Sequence, residues 1–170
     1  MEMLEIRRAR RSDAQAAFDI RRLAIQDQCG TAYSPEQVQA WTAVPLTEWY
    51  RDLVENHFHL VCIQGDPVAT GMLDLEKREL GAIFVHPDFM QRGVGMKMVT
   101  HLECLAREAE LTEINLEATL NAAAFYRRCG FIGDTPSIYQ SPSGLRLACM
   151  PMVKKLALAP SAPRLPCVCD

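Results

Sequence analysis

Residues Leu80 to Lys97, with the sequence LGAIFVHPDFMQRGVGMK, decide how the rest of the chain is arranged. The stretch opens with an apolar run that does not alternate with polar residues, which is typical of a central strand covered on both faces. Pro87 ends this strand, because proline donates no backbone hydrogen bond and keeps the preceding residue out of the helical region. From Val94 onward the apolar spacing is helical. The stretch therefore predicts a strand, a loop and the start of a helix.

The helix start contains two glycines, Gly93 and Gly95, in a pattern typical of a phosphate site. The first NH groups of a helix have no internal partner and the helix dipole adds positive charge, so together they attract anions. The missing side chains let a diphosphate approach the backbone, and Arg92 adds a full charge. A GxG pair also occurs in ordinary turns, so this prediction needs support from elsewhere in the chain.

Composition limits the classes of protein to consider. The chain has 170 residues, 49% of them hydrophobic, which is enough for one domain with a sizeable core. A net charge of -3 argues against a nucleic-acid binder that relies on overall basicity. No apolar run approaches the length of a membrane span, and the basic start is not followed by the apolar segment of an export signal. We expect a cytoplasmic protein with neither a nucleic-acid nor a membrane partner.

The seven cysteines are scattered and include no CxxC pair. This favours reduced thiols over a disulfide framework, and it predicts no metal site. Cys167 and Cys169 lie two apart and could chelate or oxidise, but an incidental pair in a loose terminus is the preferred interpretation. Because composition shifts to alanine, proline and serine near the end, we expect one domain over residues 1–157 and an irregular tail over residues 158–170.

The remaining pattern predicts an α/β (α+β) fold with a mixed sheet of about seven strands and about four helices. Three strands between His59 and Val85, joined by tight turns, form an antiparallel meander. The strand from Thr112 to Glu117 is reached through the glycine-containing helix and is therefore parallel to the opening strand. This arrangement puts the phosphate loop at the carboxyl ends of strands, where ligands bind in open sheets. The other expected strands are Met3–Arg8, Phe131–Gln140 and Leu145–Lys154.

Tyr33 and Trp41 lie in a region of short helices that supplies most of the aromatic residues outside the core. Aromatics at such spacing usually pack in the interior, and the alternative is that they form a wall of a substrate site. The sequence leaves both interpretations of Tyr33 and Trp41 open.

A second stretch, Asn121 to Phe131 with the sequence NAAAFYRRCGF, resembles the end of the GNAT superfamily of acyl-CoA-dependent N-acyltransferases. Taken with the VHPD strand end and the GxG that follows it, the likeness extends from about Leu4 to Leu156. It implies a sheet in which the opening strand and the Thr112–Glu117 strand splay apart around the pantetheine arm of acetyl-CoA, with no metal.

The resemblance also implies which residues bind acetyl-CoA. Main-chain groups of the opening strand would pair with the pantetheine arm as an added strand does. The side-chain amide of Asn121 would contact the same arm, although the residue could instead be a helix N-cap. Met90 stands where the family usually has Gln or Arg, so the loop would hold the pyrophosphate through its backbone and Arg92. The expected contacts are Ile83, Phe84, Val85, Gln91, Arg92, Gly93, Val94, Gly95, Met96, Asn121 and Tyr126.

Acetyl transfer to an amine needs a base, an oxyanion donor and an acid. A strand NH near Phe84 or Val85 is the simplest oxyanion donor. The resemblance assigns the acid to Tyr126, whose phenol would protonate the departing thiolate. Glu79 and Glu117 are both candidates for the base, with Asp74 or a water chain as alternatives.

The function predicted is transfer of an acetyl group from acetyl-CoA to a primary amine of a small molecule, in a ternary complex. One alternative is a protein or peptide N-acetyltransferase, and another is a CoA-binding module without catalysis. A homodimer through the last two strands is expected from the resemblance.

Overall fold

Within residues 3–157, which are those described by the computed structural model, the chain forms one seven-stranded sheet with helices on both faces. The strand order is β1-β2-β3-β4-β5-β7-β6. The strands are β1 (Leu4–Arg8), β2 (Phe58–Ile63), β3 (Asp66–Asp74), β4 (Glu79–Val85), β5 (Glu113–Thr119), β6 (Ser137–Gln140) and β7 (Arg146–Lys155). The helices are α1 (Ala14–Gln28), α2 (Pro35–Thr42), α3 (Glu48–His57), α4 (Val94–Glu108) and α5 (Ala123–Arg128).

The mixed, mostly antiparallel sheet predicted from the sequence is confirmed. All neighbouring strands are antiparallel except β4 and β5, which are parallel and joined through α4. The described chain has five α-helices where about four were expected, because α2 and α3 are separate. Each has its own N-cap: the Ser34 side chain accepts from Gln37 N–H at 3.1 Å, and the Thr47 side chain accepts from Tyr50 N–H at 3.2 Å.

The strand expected over Phe131–Gln140 is wrong in its first half. Regular pairing begins only at Ser137, and before it Ile132 makes a single bridge to Val153. Pro136 has no N–H for a ladder, which explains the late start. Gly133 has a specific role in this segment, because a β-carbon there would lie 2.1 Å from the carbonyl oxygen of Pro151.

Alternation along the strands divides the side chains between two faces. On β5, the apolar residues Ile114, Leu116 and Ala118 are buried in the cluster shared with α4 and α5. The residues between them point to the opposite face, where Asn115 is half-buried and Glu117 is exposed. On that face α1 and α3 form a second cluster with β2, so polar groups of β5 lie beside an apolar layer.

The parallel pair β4 and β5 is joined only at its start. The single register pair between these two described strands is Glu79 with Asn115. The Asn115 side chain donates to the carbonyls of Lys77 (3.2 Å) and Arg78 (3.0 Å), and its backbone N–H donates to Arg78 at 2.9 Å. Beyond this point the two strands separate, as the family resemblance implies.

A bulge in β4 accompanies the separation. Ala82 has a positive φ of 50°, and the β3–β4 register shifts between Thr70 and Met72. The buried Thr70 hydroxyl donates to the Ala82 carbonyl at 2.6 Å. Because a bulge bends its strand and increases the local twist, this hydrogen bond helps to hold β4 away from β5.

No helix within residues 3–157 is both long and apolar enough to cross a membrane. The five cysteines in the described part of the chain are free thiols. Cys167, Cys169 and the predicted tail over residues 158–170 lie outside the described residues.

A buried ion pair connects α4 to β7. Lys154 Nζ lies 2.9 Å from Glu103 Oε1 and also donates to the carbonyl of Cys129, at the end of α5, at 2.7 Å. Glu103 is 6% exposed. The amine therefore compensates a buried carboxylate and fixes the end of α5 at the same time.

Replacing this amine tests its contribution to stability. Lys154→Met should lower the free energy of unfolding by about 2 kcal/mol, because the buried Glu103 keeps only Arg107, at the longer distance of 3.7 Å, as a cationic partner. Urea unfolding of the single variants and of Glu103→Gln/Lys154→Met measures the coupling. A double variant no more stable than Lys154→Met would show that the pair is not the cause.

Candidate active site

The helix start at Gly93 has the geometry of an anion site. Gly93 caps α4 with φ 76° and ψ 8°, and the first intrahelical bond runs from Lys97 N–H to the Gly93 carbonyl at 3.0 Å. The preceding Gln91 also has a positive φ, 61°. The N–H groups of the first turn therefore have no carbonyl partner within the helix and point out of its end.

The two glycines are required for different reasons. Gly93 adopts the left-handed conformation, and a β-carbon there would meet no protein atom within 4 Å. Gly95 instead packs tightly, because its β-carbon would lie 3.3 Å from Phe125 Cζ and 3.5 Å from Val85 Cγ2. The approach to the backbone is therefore open at Gly93, whereas Gly95 allows α4 to lie close to α5 and the end of β4.

Met90 is turned toward α1. The Gln28 side chain donates to Met90 Sδ at 3.2 Å and to the Val85 carbonyl at 3.3 Å. The Arg92 guanidinium lies 5.1 Å from the centre of the Phe89 ring. The loop thus presents backbone N–H groups and one arginine, while its methionine packs against the neighbouring helix.

Beyond Glu79, the edge of β4 that faces β5 has no strand partner among residues 3–157. Phe84 is the register partner of Thr70, and His86 N–H donates to the Val68 carbonyl at 2.8 Å, so both residues direct their backbone toward β3. Since successive peptide groups alternate in direction, Ile83 and Val85 direct theirs toward the gap. The gap is therefore lined by Ile83 and Val85 more than by Phe84.

Asn121 lies in a 3-10 turn before α5 and does not cap a helix, since Thr119 and Ala122 occupy the cap positions. Its Oδ1 is buried and has no hydrogen-bond partner among the described residues. The neighbouring Cys29 thiol has its pKa raised to about 11 by burial, partly offset by a hydrogen bond with Asn121. A buried acceptor of this kind fits a ligand with amide N–H groups, as the pantetheine arm has.

Tyr126 is buried between two phenyl rings. Its ring centre lies 5.1 Å from that of Phe125 and 5.9 Å from that of Phe131. Burial raises the pKa of the Tyr126 phenol above its ordinary value. The phenol therefore keeps its proton throughout the neutral range, and it is a weaker acid than an unperturbed tyrosine.

Glu79 and Glu117 lie on the same face at the narrow end of the gap. Burial raises the pKa of the Glu79 carboxyl, and the charges of Glu117 and Asp74 raise it further, while Lys77 lowers it. A carboxylate with a raised pKa is a better base than an ordinary glutamate. Glu117 is exposed and lies close enough to act on the Glu79 charge.

Tyr33 and Trp41 pack in the interior. Both are buried, and their rings meet edge to face at 5.6 Å. The Tyr33 hydroxyl donates to the Ala148 carbonyl at 2.6 Å and accepts from Leu120 N–H at 3.0 Å. The geometry gives Tyr33 a bracing role between β7 and the turn before α5, and a substrate-wall role for either residue stays a prediction.

The structure adds three residues that sequence reasoning did not identify: Asn115, Tyr139 and Arg21. Tyr139 is on β6, and its pKa is raised by burial and by the carboxylates of Glu117 and Glu79, while Arg21 lowers it. Arg21 lies on α1, one turn from the buried Ala17 and Ile25. A charged residue at an apolar helical position was a signal the sequence contained.

Two surface depressions differ in their chemistry. One, of about 240 Å³, lies over β5 and β7 and is lined by residues that include Asn115 and Glu117. The other, of about 390 Å³, lies between α1 and α2, and its lining residues carry no ionisable side chain. The first includes one of the two candidate carboxylates, Glu117, and neither depression includes Glu79 or the Gly93 helix start.

Comparison with known proteins agrees with this geometry. Residues 24–131 match the Acetyltransferase (GNAT) family. The chain is 28% identical over 131 residues to an uncharacterized N-acetyltransferase, YafP, of Escherichia coli (strain K12), covering 77% of this chain and 83% of that protein.

Solved structures show the same fold. A GCN5-related N-acetyltransferase from Rhodopseudomonas palustris superposes with a TM-score of 0.81 at 25% identity, covering 92% of this chain and 96% of that one. The PaiA N-acetyltransferase from Thermoplasma acidophilum, solved in complex with coenzyme A, superposes with a TM-score of 0.69 at 17% identity, covering 91% and 99%.

The family match and the shared fold, with its splayed parallel strands and glycine-containing helix start, define an acyl-CoA-dependent transferase. This chain belongs to the GNAT family of acetyltransferases, and it is an N-acetyltransferase.

The anion site can be tested with a pair of glycine variants. Gly93→Val should weaken coenzyme A binding at least tenfold, because a β-branched residue cannot hold the left-handed cap that orients the N–H groups. Gly65 is a matched control, since it has φ 86° and no atom within 4 Å of a β-carbon, but lies in the β2–β3 turn.

Isothermal titration calorimetry with coenzyme A measures both variants. Gly65→Val should be destabilised to a similar degree and keep its affinity. An unchanged affinity in Gly93→Val would contradict the anion site.

Proposed function

We propose that the protein transfers an acetyl group from acetyl-CoA to a primary amine of a small molecule within a ternary complex. The observation that carries this proposal is the unpaired edge of β4 between the Gly93 helix start and the Glu79 carboxylate. The gap has hydrogen-bonding groups for an extended amide ligand at its middle, an anion site at one end and a base at the other. These are the three features that the two substrates of such a reaction require.

Acetyl-CoA would lie along β4. The backbone groups of Ile83 and Val85 would pair with the pantetheine amides as a neighbouring strand would, and the Asn121 Oδ1 would accept from the same arm. The pyrophosphate would bind the N–H groups from Gly93 to Met96, together with Arg92. This arrangement directs the thioester toward Glu79 and Glu117.

The reaction forms a bond between the amine nitrogen and the acetyl carbon and breaks the carbon–sulfur bond of the thioester. The amine must first lose a proton, and Glu79 is the favoured acceptor because its raised pKa and partial burial make it a stronger base than the exposed Glu117. One of the two N–H groups that point into the gap, those of Ile83 and Val85, would donate to the oxyanion, and the other would remain for the pantetheine arm. Of the expected donors Phe84 and Val85, only Val85 directs its backbone toward the gap.

Tyr126 would return a proton to the departing thiolate. The buried phenol is protonated at neutral pH and packed so that it does not rotate freely. Its raised pKa makes full transfer to the thiolate less favourable than for a free phenol. Donation of a hydrogen bond to the developing sulfur charge is therefore the minimum role that the geometry supports.

The edge strand β6 supports the expected homodimer. All four of its residues are exposed, and Ile138 is 54% exposed. An apolar edge strand is a surface on which a second copy can pair. Light scattering on the purified protein measures this assembly.

Thiol release from acetyl-CoA, measured with a panel of small primary amines and with peptides, tests the activity. Release with small amines supports the proposal. Release with peptides alone would favour a peptide N-acetyltransferase, and binding without release under any condition would favour a CoA-binding module.

Removing the phenol hydroxyl tests the role of Tyr126. Tyr126→Phe keeps the aromatic packing and should lower kcat about a hundredfold, while the KM for acetyl-CoA changes little. Steady-state kinetics at saturating amine measures both constants. Unchanged turnover would remove Tyr126 from the mechanism.

The pH profile of kcat/KM distinguishes the two carboxylates. A base is active only when deprotonated, so the rate should fall as pH drops through the raised pKa of Glu79, giving an acidic limb above the ordinary glutamate range. Glu79→Gln should abolish this limb. Glu117→Gln should move it to lower pH, because it removes a negative charge that raises the pKa of Glu79. The opposite pattern would make Glu117 the base.

A further inference from the structure

Arg21 is a half-buried cation with only part of its hydrogen-bonding capacity used. Its Nη2 donates to the Trp41 carbonyl at 3.2 Å, and the guanidinium lies 5.7 Å from the centre of the Phe18 ring. Its Nη1 is buried and has no hydrogen-bond partner among residues 3–157. In the same part of the chain no carboxylate forms an ion pair with it. One end of the guanidinium is therefore fixed, and the other has no hydrogen-bond acceptor in the described part of the chain.

Keeping a cation in this position is unfavourable without an anion. Burial lowers the pKa of the Arg21 guanidinium, which shows that its charged form is partly desolvated. A guanidinium held by one nitrogen presents its remaining N–H groups in a planar fork, which matches the two oxygens of a carboxylate. The group that compensates Arg21 is thus expected to be a small planar anion.

The position of Arg21 along α1 separates it from the phosphate loop. Gln28, near the end of α1, contacts Val85 and Met90 beside that loop. Arg21 precedes Gln28 by seven residues, which is about 10 Å along a helix. This displacement takes Arg21 away from the loop and toward the amino end of β4. The pyrophosphate site is therefore at the far end, and Arg21 belongs to the half of the gap where the acceptor amine must lie.

The groups around Arg21 also belong to the half of the gap where the acceptor amine must lie. Tyr139 lies within electrostatic reach of Arg21, Glu79 and Glu117, so it connects the cation to the two carboxylates. Its register partner Leu147 is buried in the cluster that contains Trp41, which places Tyr139 on the face of the sheet that α1 covers. Arg21, Glu79 and Glu117 therefore all lie near enough to Tyr139 for their charges to act on its phenol.

We propose that Arg21 binds a carboxylate of the acceptor, so that the acceptor is a small molecule carrying both a primary amine and a carboxylate, such as an amino acid. The carboxylate is held by the free edge of the guanidinium, and the amine is directed to Glu79 and the thioester. This inference rests on the proposed acetyl transfer, and it specifies the class of substrate. A peptide acceptor is the competing class.

The first experiment uses the unaltered protein. Thiol release from acetyl-CoA is measured with α-, β- and γ-amino acids, each paired with its primary carboxamide and with the amine that lacks the carboxylate. The proposal expects kcat/KM for at least one amino acid to exceed that for both neutral partners by about tenfold or more. Equal use of the neutral partners, or a preference for peptides over every free amino acid, would overturn it.

The second experiment uses variants of two adjacent arginines. Arg21→Gln should raise the KM for the carboxylate substrate about tenfold or more, with no change in the KM for acetyl-CoA and no loss of rate with the neutral amine. Arg21→Lys keeps the charge without the fork and should give a smaller increase. Arg22→Gln is the control, since Arg22 is 43% exposed and pairs with Asp19 at 3.3 Å. An equal effect of the control, or none in either Arg21 variant, would overturn the proposal.

A binding measurement separates failure of this inference from failure of the proposed function. Calorimetric titration of the coenzyme A complex with the same amino acids and carboxamides requires no turnover. Carboxylate-dependent binding that is lost in Arg21→Gln supports the site even if no acetyl transfer is detected. Acetyl transfer to neutral amines without carboxylate-dependent binding would support the function and overturn the Arg21 inference.

Discussion

The whole site depends on where β4 and β5 stop pairing. Asn115 joins the two strands at their start, because its side-chain amide donates to the Lys77 and Arg78 carbonyls. Farther along β4, the Thr70 hydroxyl donates to the Ala82 carbonyl and stabilises a bulge there. Between these two points the sheet changes from a continuous ladder to an open edge. Exposed N–H and C=O groups on an interior strand are unusual, because buried backbone groups are nearly always paired. A ligand with amide groups is the natural partner for such an edge.

The two ends of the gap use different electrostatics. At the wide end, the proposed anion site consists of N–H groups from Gly93 onward, whose fixed backbone dipoles have no pKa and act at any pH. At the narrow end, burial raises the pKa of Glu79 and the Glu117 charge raises it further, while burial lowers the pKa of Arg21. Binding of the nucleotide half is thus expected to be insensitive to pH, whereas the chemistry at the amine is not.

Packing on the face of the sheet that α4 and α5 cover fixes the phosphate loop relative to Asn121 and Tyr126. Gly95 allows Phe125 to lie against the start of α4, which ties the phosphate loop to the helix that carries Tyr126. The ion pair of Glu103 and Lys154 fixes the end of α5 against β7 from the other side. The loop, Asn121 and Tyr126 are therefore positioned by one rigid layer, although they are distant in sequence.

Much of this could be predicted from sequence because it depends on local patterns. The apolar run of β4, the glycine-containing start of α4, the parallel pairing through α4 and the helix after Asn121 each follow from periodicity, turn chemistry or a short motif. The strand expected over Phe131–Gln140 was wrong in its first half, because Pro136 offers no N–H to a ladder and Gly133 lies against the Pro151 carbonyl of β7. Tyr33 could not be placed either, because its burial depends on strands more than a hundred residues away.

The sequence by itself determined the fold class and the family, since these follow from backbone preferences, residue spacing and short motifs. Only the tertiary structure decided where β4 and β5 separate, which backbone groups face the gap, and that Arg21, Glu79 and Glu117 all lie within electrostatic reach of Tyr139. These residues come from α1, β4, β5 and β6. Their proximity results from strand order and packing, which no local stretch of the chain encodes.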